Sequence, residues 1–265
     1  MKKFKYLMTI NEFFENFLKE EEITALANGT LIALGYKNPN AKRIGKGGGN
    51  GDIFPVPDGK ILKITKDQSE AINSNNLSKM NDLKRFAKYY KVRRIVHNAQ
   101  DDISVPIFAL LMEKLKPVVD GSEEAININR LKKHFYITQH RKMGEVHDFF
   151  NDNLETYEQF IEKNSTERFK ELFGTDSNYD TLLKYYNAMN ELMKEAIEHK
   201  IILGDVTYEN FAFNTKNLLV TFDLGGMGNA FTPEGKKASK DERNEMVKNM
   251  EVITVEIKKT TASNS

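Results

Sequence analysis

Three oxygen-bearing side chains lie close together in the second half of the chain: Asp205, Asn210 and, thirteen residues after Asn210, Asp223. Transfer of a phosphoryl group requires an acid that orients the incoming hydroxyl and oxygen ligands that hold Mg²⁺ against the phosphates. Each of these residues alone is more often a helix cap or a turn former. In this order and at this spacing, they predict the acid and the metal ligands of a phosphotransferase.

A glycine-dense segment lies far upstream of these residues, with five glycines within the seven positions 45–51. Glycines let the backbone approach a bulky anion and leave several N–H groups free to point at phosphate oxygens. A dinucleotide-binding or Walker-type loop requires a helix directly after the glycines, which Pro55 and Pro57 exclude. We therefore predict a glycine loop between two strands; the alternative is a surface loop without a ligand. The residues assigned to the nucleotide are Gly45, Gly47, Gly48, Gly49 and Gly51.

Lys63 lies within a predicted strand, 60–65, that follows the glycine loop. From this position an ammonium can neutralise two phosphates of a nucleotide, although a strand lysine more often faces solvent. Such a lysine requires an orienting carboxylate, and Glu70, at the start of the next predicted helix, is the first candidate. Asp82 is the second, because the asparagine-rich run 73–76 is expected to interrupt that helix. The alternative role for Glu70 is to complement the helix dipole.

A buried strand is predicted over 105–112, where an almost uninterrupted apolar run stops at a charged segment. The exposed backbone after such a strand can hydrogen-bond a flat heterocycle. Met112 is the predicted gatekeeper beside the nucleotide, and Glu113 and Leu115 are predicted to offer main-chain groups to adenine.

The segment 44–226 resembles the protein-kinase-like superfamily. It contains, in the family's order, the glycine loop, the strand lysine, the helix glutamate, the buried strand and the three oxygen-bearing residues. The four residues between Asp205 and Asn210 match the catalytic-loop spacing of that superfamily. The chain is most similar to compact kinases of bacteriophages and bacterial effectors. The resemblance implies a bilobal α+β fold, with an antiparallel-sheet lobe over residues 1–115 and a reduced helical lobe over residues 116–265.

The resemblance also implies a role for each candidate residue. Asp205 is then the catalytic base, and Asn210 and Asp223 are the Mg²⁺ ligands. Lys63, oriented by Glu70, contacts the α- and β-phosphates of ATP. The expected cofactors are therefore ATP and Mg²⁺.

Some positions depart from the pattern of eukaryotic protein kinases. Leu203 and Gly204 replace the usual His-Arg, and Thr207 stands where many serine/threonine kinases have a lysine. A Gly-Asp pair in the catalytic loop also occurs in small-molecule kinases that resemble aminoglycoside phosphotransferases, whereas Asp-Leu-Gly at 223–225 favours protein kinases. Forty residues follow Gly225, which is short for the usual peptide-binding subdomain. Substrate selection is therefore expected to use another surface or an activating or docking partner.

The combined pattern favours a serine/threonine protein kinase that transfers the γ-phosphate of ATP to a protein hydroxyl. Two alternatives stay open: a pseudokinase-type module that acts by binding a partner, and a small-molecule kinase of the aminoglycoside phosphotransferase type. A formal net charge of +1 over 265 residues argues against a nucleic-acid partner. No apolar run is long enough to predict a membrane span. The absence of cysteine fits the cytoplasm, or a host cytoplasm for a phage or effector protein.

Local patterns predict the elements that must position these residues. Residues from about 30 to 65 are expected to form strands joined by tight turns, and the chain beyond about residue 120 is expected to be mainly helical. The other predicted elements are an amphipathic helix over 9–27, a strand over 89–96, a long helix over 181–199, and a hairpin with strands at 210–213 and 218–222.

Overall fold

In the described residues the chain is α+β, with an antiparallel sheet first and a mainly helical region after it, as predicted. Within these ranges the helices are each too short or too polar to span a lipid bilayer. This computed structural model describes residues 20–44, 46–47, 51–97, 106–132, 165–203, 207–222 and 230–256. The predicted site residues that lie outside these ranges are Gly45, Gly48, Gly49, Asp205 and Asp223.

The described strands form a six-stranded and a three-stranded sheet. In chain order they are β1 (Lys46–Gly47), β2 (Gly51–Pro55), β3 (Lys60–Thr65), β4 (Tyr89–His97), β5 (Ile107–Glu113), β6 (Lys116–Pro117), β7 (Phe211–Phe213), β8 (Leu219–Thr221) and β9 (Val252–Val255). The larger sheet has the order β1-β2-β3-β5-β4-β9, and all its neighbours are antiparallel except β4 and β9, which are parallel. The smaller sheet, β6-β7-β8, is antiparallel.

The described helices cover the larger sheet and build the second half of the chain. Ser, Asp or Asn precedes most of them, as expected for N-terminal caps. They are α1 (Glu20–Ala33), α2 (Gln68–Leu77), α3 (Glu123–Leu131), α4 (Thr166–Phe173), α5 (Tyr179–Glu198) and α6 (Lys240–Lys248).

The two faces of the larger sheet pack against different partners. On one face, β3 and β5 residues such as Leu62 and Leu111 pack in a cluster with Leu26 of α1 and Val255 of β9. On the other face, residues such as Leu110 belong to a second cluster that includes α2 and also α5. The sheet and the helical region therefore share this second hydrophobic cluster.

The first described helix differs from the predicted helix over 9–27. Residues 9–19 lie outside the described ranges, and α1 continues to Ala33, so the predicted end at residue 27 and the predicted strand character directly after it are wrong. A Cβ atom at Gly29 would lie 2.3 Å from Cγ1 of Val255. Gly29 thus lets the helix pack closely on β9, and this packing outweighs the low helix propensity of glycine.

Helix α2 was expected to break at the asparagine-rich run 73–76, and this prediction is wrong. The helix runs without interruption from Gln68 to Leu77. Its start is fixed by the Asp67 carboxylate, which accepts hydrogen bonds from the backbone N–H groups of Ser69 and Glu70. Its buried positions include Asn73 and Ser74, two polar residues of low helix propensity.

The end of the described chain returns to the larger sheet. Helix α6 begins with a capping box formed by Ser239 and Glu242 and leads into β9, which pairs with β4. Local patterns did not predict β9. The larger sheet therefore includes a strand from beyond residue 115, where the sequence places the boundary between two lobes; that boundary stays a prediction.

Candidate active site

Lys63 on β3 and Glu70 on α2 form an ion pair between Nζ and Oε1. The side chains are only 12% and 4% exposed. The second carboxylate oxygen of Glu70 accepts a hydrogen bond from Thr65 Oγ1 at 3.1 Å. Both oxygens of a buried carboxylate are thus engaged, which offsets the free-energy cost of removing the charge from water.

The start of α2 sets the position of Glu70. Glu70 lies in the first helical turn, and the Asp67 cap bonds its N–H at 3.0 Å. Thr65 Oγ1 also accepts a hydrogen bond from the Asp67 N–H at 3.1 Å, so the turn from β3 into the helix is held from both ends. The side chain of the second candidate, Asp82, is 74% exposed, and its Oδ2 lies 3.6 Å from Nε2 of His199. The carboxylate that contacts Lys63 is therefore that of Glu70.

Gly51 gives the Lys63 side chain room. Gly51 lies opposite Thr65 in the β2–β3 pairing and opposite Gly47 in the β1–β2 pairing. A Cβ atom at Gly51 would lie 2.7 Å from the carbonyl oxygen of Ile64 and 3.0 Å from Cε of Lys63. Only glycine allows the backbone this close to the lysine stem. The glycine-dense segment thus approaches Lys63 at its downstream end.

The strand that ends at Glu113 lies in the middle of the sheet. Met112 is 3% exposed, and Leu115 is partly buried against the larger hydrophobic cluster. The backbone N–H of Glu113 donates to the Lys88 carbonyl at 2.9 Å, and the Glu113 side chain accepts from the Lys88 N–H at 2.8 Å. The N–H of Glu113 is thus used inside the protein, which removes that group from the predicted contact with adenine.

Backbone hydrogen bonds fix the segment that contains Asn210. Asn210 ends a short 3-10 helix, Tyr208–Asn210, directly before β7. Its carbonyl oxygen accepts two hydrogen bonds at 3.1 Å, one from Thr221 Oγ1 and one from the Phe222 N–H. Phe222 directly precedes Asp223 in the sequence. The β7–β8 hairpin therefore joins the backbone of one predicted metal ligand to the residue before the other.

The loop after α2 connects this hairpin to the sheet. The Thr221 N–H donates to the Arg85 carbonyl at 2.9 Å, and the Ala87 N–H donates to the Thr221 carbonyl at 2.8 Å. The hydroxyl of Tyr89 on β4 donates to the Phe222 carbonyl. Sequence reasoning missed these contacts because residues 84–88 follow no helical or strand period. Backbone hydrogen bonds at residues 85 and 87 thus connect the hairpin that contains Asn210 to the segment that leads into β4 of the larger sheet.

The segment that follows β5 also contacts the hairpin. Strand β6 pairs with β7, and the Tyr208 hydroxyl donates to Asp120 Oδ1 at 2.8 Å. This hydrogen bond to a carboxylate is the largest of the effects that raise the pKa of Tyr208 to about 12. Tyr208 therefore stays protonated at physiological pH and can keep donating this hydrogen bond.

The described part of the site thus combines an antiparallel sheet with a strand lysine paired to a helix glutamate. The sheet and the contact between the lysine and the glutamate agree with the sequence prediction. Within the described ranges, no three His, Asp or Glu side chains cluster as a metal site. Of the predicted acid and metal ligands, Asn210 lies in these ranges, and Asp205 and Asp223 lie outside them. The roles of all site residues stay predictions.

No family model and no curated protein matches the chain. Among solved structures, it is similar to an aminoglycoside phosphotransferase from Alicyclobacillus acidocaldarius, with a TM-score of 0.27 and 13% identity, over 69% of this chain and 61% of that one. It is also similar to choline kinase LicA from Streptococcus pneumoniae, with a TM-score of 0.31 and 15% identity, over 85% of this chain and 79% of that one.

Proposed function

We propose that the chain is an ATP-dependent phosphotransferase that moves the γ-phosphate to a hydroxyl group. The observation that carries this proposal is the buried ion pair between Lys63 and Glu70. A buried pair is weak support for stability alone, because hydrophobic residues of similar volume often stabilise a protein equally well. A lysine held by a carboxylate beside a glycine-dense loop instead suits a nucleotide phosphate, which is the use that kinases make of it.

Each remaining residue has a place in this proposal. Lys63 contacts the α- and β-phosphates, and Glu70 keeps its ammonium in position. The backbone N–H groups of the glycine-dense segment bind phosphate oxygens. Asp205 orients the attacking hydroxyl. The amide of Asn210 and the carboxylate of Asp223 supply oxygen donors of the kind that Mg²⁺ takes, and the metal neutralises charge on the phosphates during transfer.

The acceptor that we propose is a serine or threonine hydroxyl of a protein, recognised with a docking partner in the cytoplasm. A small-molecule acceptor is the second candidate, and one observation favours it. The described residues after Asp223 return to α2 and the larger sheet through α6 and β9, and this path provides no separate helical platform for a peptide. The third alternative, a pseudokinase, binds nucleotide without transferring phosphate.

Incubation of the purified protein with γ-labelled ATP and Mg²⁺ tests the proposal, in the presence of a host lysate or a panel of hydroxylated small molecules. Label in proteins supports the first acceptor, label in small molecules supports the second, and nucleotide binding without transfer supports the pseudokinase. Lys63→Met should reduce transfer by about 100-fold or more, the cost of losing one group that stabilises the transition state. Lys60→Met is the matched control, because Lys60 lies on the same strand and pairs with Asp58 instead. Equal transfer by both variants would refute the proposal.

A further inference from the structure

Helix α2 carries more than Glu70 on its inner side. Glu70, Asn73 and Asn76 recur every three residues, so they follow one another along the helix surface. Glu70 is 3% exposed, Asn73 is fully buried, and Asn76 is half-buried. Burial of an amide costs free energy unless the amide is hydrogen-bonded, so these side chains require a partner.

That partner is the backbone of Phe231. Asn73 Oδ1 accepts a hydrogen bond from the Phe231 N–H at 3.0 Å, and Asn76 Nδ2 donates one to the Phe231 carbonyl at 3.0 Å. The Phe231 side chain is 1% exposed. Two amides one helical turn apart thus satisfy both backbone groups of one buried residue, as a neighbouring strand does in a sheet. We call these two hydrogen bonds the amide clamp.

The chain around Phe231 is itself anchored. The Ala238 N–H donates to the Ala230 carbonyl at 2.7 Å, and the Thr232 N–H donates to the Lys236 carbonyl at 2.7 Å, which closes a tight hairpin. Helix α6 follows directly, and its Asn244 accepts a hydrogen bond from Gln68 of α2 at 3.3 Å. Strand β9 then joins the larger sheet beside β4. The clamp therefore ties α2 to a segment that is attached to the sheet carrying Lys63.

We propose that Asn73 and Asn76 are positioning residues for the Lys63–Glu70 pair. The clamp fixes α2 relative to the sheet, and this keeps the Glu70 carboxylate against the Lys63 ammonium. The importance of this position for ATP rests on the function proposed above. The contact between the Glu70 carboxylate and the Lys63 ammonium does not depend on that function, because both groups belong to the protein itself.

The test measures the reactivity of the Lys63 amine by competitive labelling with acetic anhydride and mass spectrometry, with Lys60 as internal reference. Asn76→Asp keeps the side-chain shape but removes the donor to the Phe231 carbonyl. Asn75→Asp is the matched control, since it adds the same charge one position earlier in the same helix and Asn75 makes no side-chain hydrogen bond to residues 230–232 in the described structure. If Asn76→Asp does not fold, Asn76→Ala against Asn75→Ala replaces the pair.

We expect the Lys63-to-Lys60 labelling ratio to rise about fivefold in Asn76→Asp, the factor that corresponds to one net hydrogen bond, and to stay at the wild-type value in Asn75→Asp. The KM for ATP should rise by a similar factor in Asn76→Asp, and Asn76→Gln, which keeps the donor, should restore part of both values. Equal labelling ratios in the two aspartate variants overturn the proposal even if the protein binds ATP. A raised ratio in a protein that binds no ATP supports the clamp and instead overturns the proposed function.

Discussion

The two parts of the candidate site are held in different ways. Around Lys63, the geometry depends on buried side chains: an ion pair to Glu70 and a hydrogen bond from Thr65. Around Asn210, it depends mainly on backbone atoms, since the Asn210 carbonyl accepts from the Phe222 N–H and from one side chain, Thr221 Oγ1. The lysine part therefore relies on side-chain contacts between a strand and a helix, whereas the asparagine part relies mainly on backbone hydrogen bonds within its hairpin and to residues 85–87. Mutations should separate the two parts.

The largest effect is expected at the lysine part. Glu70→Ala removes the Glu70 carboxylate from the buried Lys63 ammonium, and we expect it to lower the free energy of unfolding by about 3–5 kcal/mol. Urea denaturation measures this change. The double variant Lys63→Met with Glu70→Leu removes both charges and should be clearly more stable than Glu70→Ala alone. A loss below about 1 kcal/mol in Glu70→Ala would show that the pair is not held as a buried unit.

A smaller effect is expected at the asparagine part. Thr221→Val removes the hydrogen bond from Oγ1 to the Asn210 carbonyl, which still accepts from the Phe222 N–H. We expect a loss of about 1 kcal/mol in the free energy of unfolding. Phosphate transfer should fall by less than tenfold, because the backbone bond keeps the hairpin in register. If Thr221→Val instead matched Glu70→Ala in the unfolding measurement, the contrast between the two parts would be wrong.

The smallest effect concerns pH and the attachment of β9. His97 on β4 lies opposite Val255 of β9 and is 4% exposed. Burial lowers the pKa of His97 below its usual 6.5, and the nearby Glu22 carboxylate opposes this shift. The folded state therefore holds the neutral ring, and its contribution to stability is present above about pH 6.5 and is lost as the pH falls through the lowered pKa.

Unfolding free energies measured at pH 7.5 and at pH 5.5 test this prediction. The wild type should lose stability between these two values, and His97→Leu should lose less. An identical pH response in His97→Leu and the wild type would contradict the expected role of His97.

Much of the fold is readable from local sequence patterns. The predicted strands over 60–65 and 89–96 correspond to β3 and β4, and the predicted helix over 181–199 corresponds to α5, which spans Tyr179–Glu198. These elements have a strong apolar period or are rich in β-branched and large apolar residues. Strand β9 was missed although its four residues are all β-branched, because so short a run gives no sign of its partner, the distant strand β4.

The candidate site was likewise predictable from the sequence only in part. The contact between Lys63 and Glu70 followed from the sequence because Glu70 is the only glutamate between Lys63 and Met112 and begins a helix. The asparagines of α2 were misread, since propensity treats them as helix breakers and says nothing about a partner more than 150 residues away in the chain. An unusual density of asparagine in a helix next to a predicted site residue was the available signal.

The most direct test of the central claim is the affinity of the protein for a non-hydrolysable ATP analogue with Mg²⁺, measured by calorimetry. The wild type and Lys60→Met should bind with affinities within about twofold of each other, because an exposed ion pair contributes little. Lys63→Met should bind at least about tenfold more weakly, since it removes a charge-assisted contact to phosphate. Binding by Lys63→Met as tight as that of the wild type, or no binding by any of the three proteins, would contradict the account.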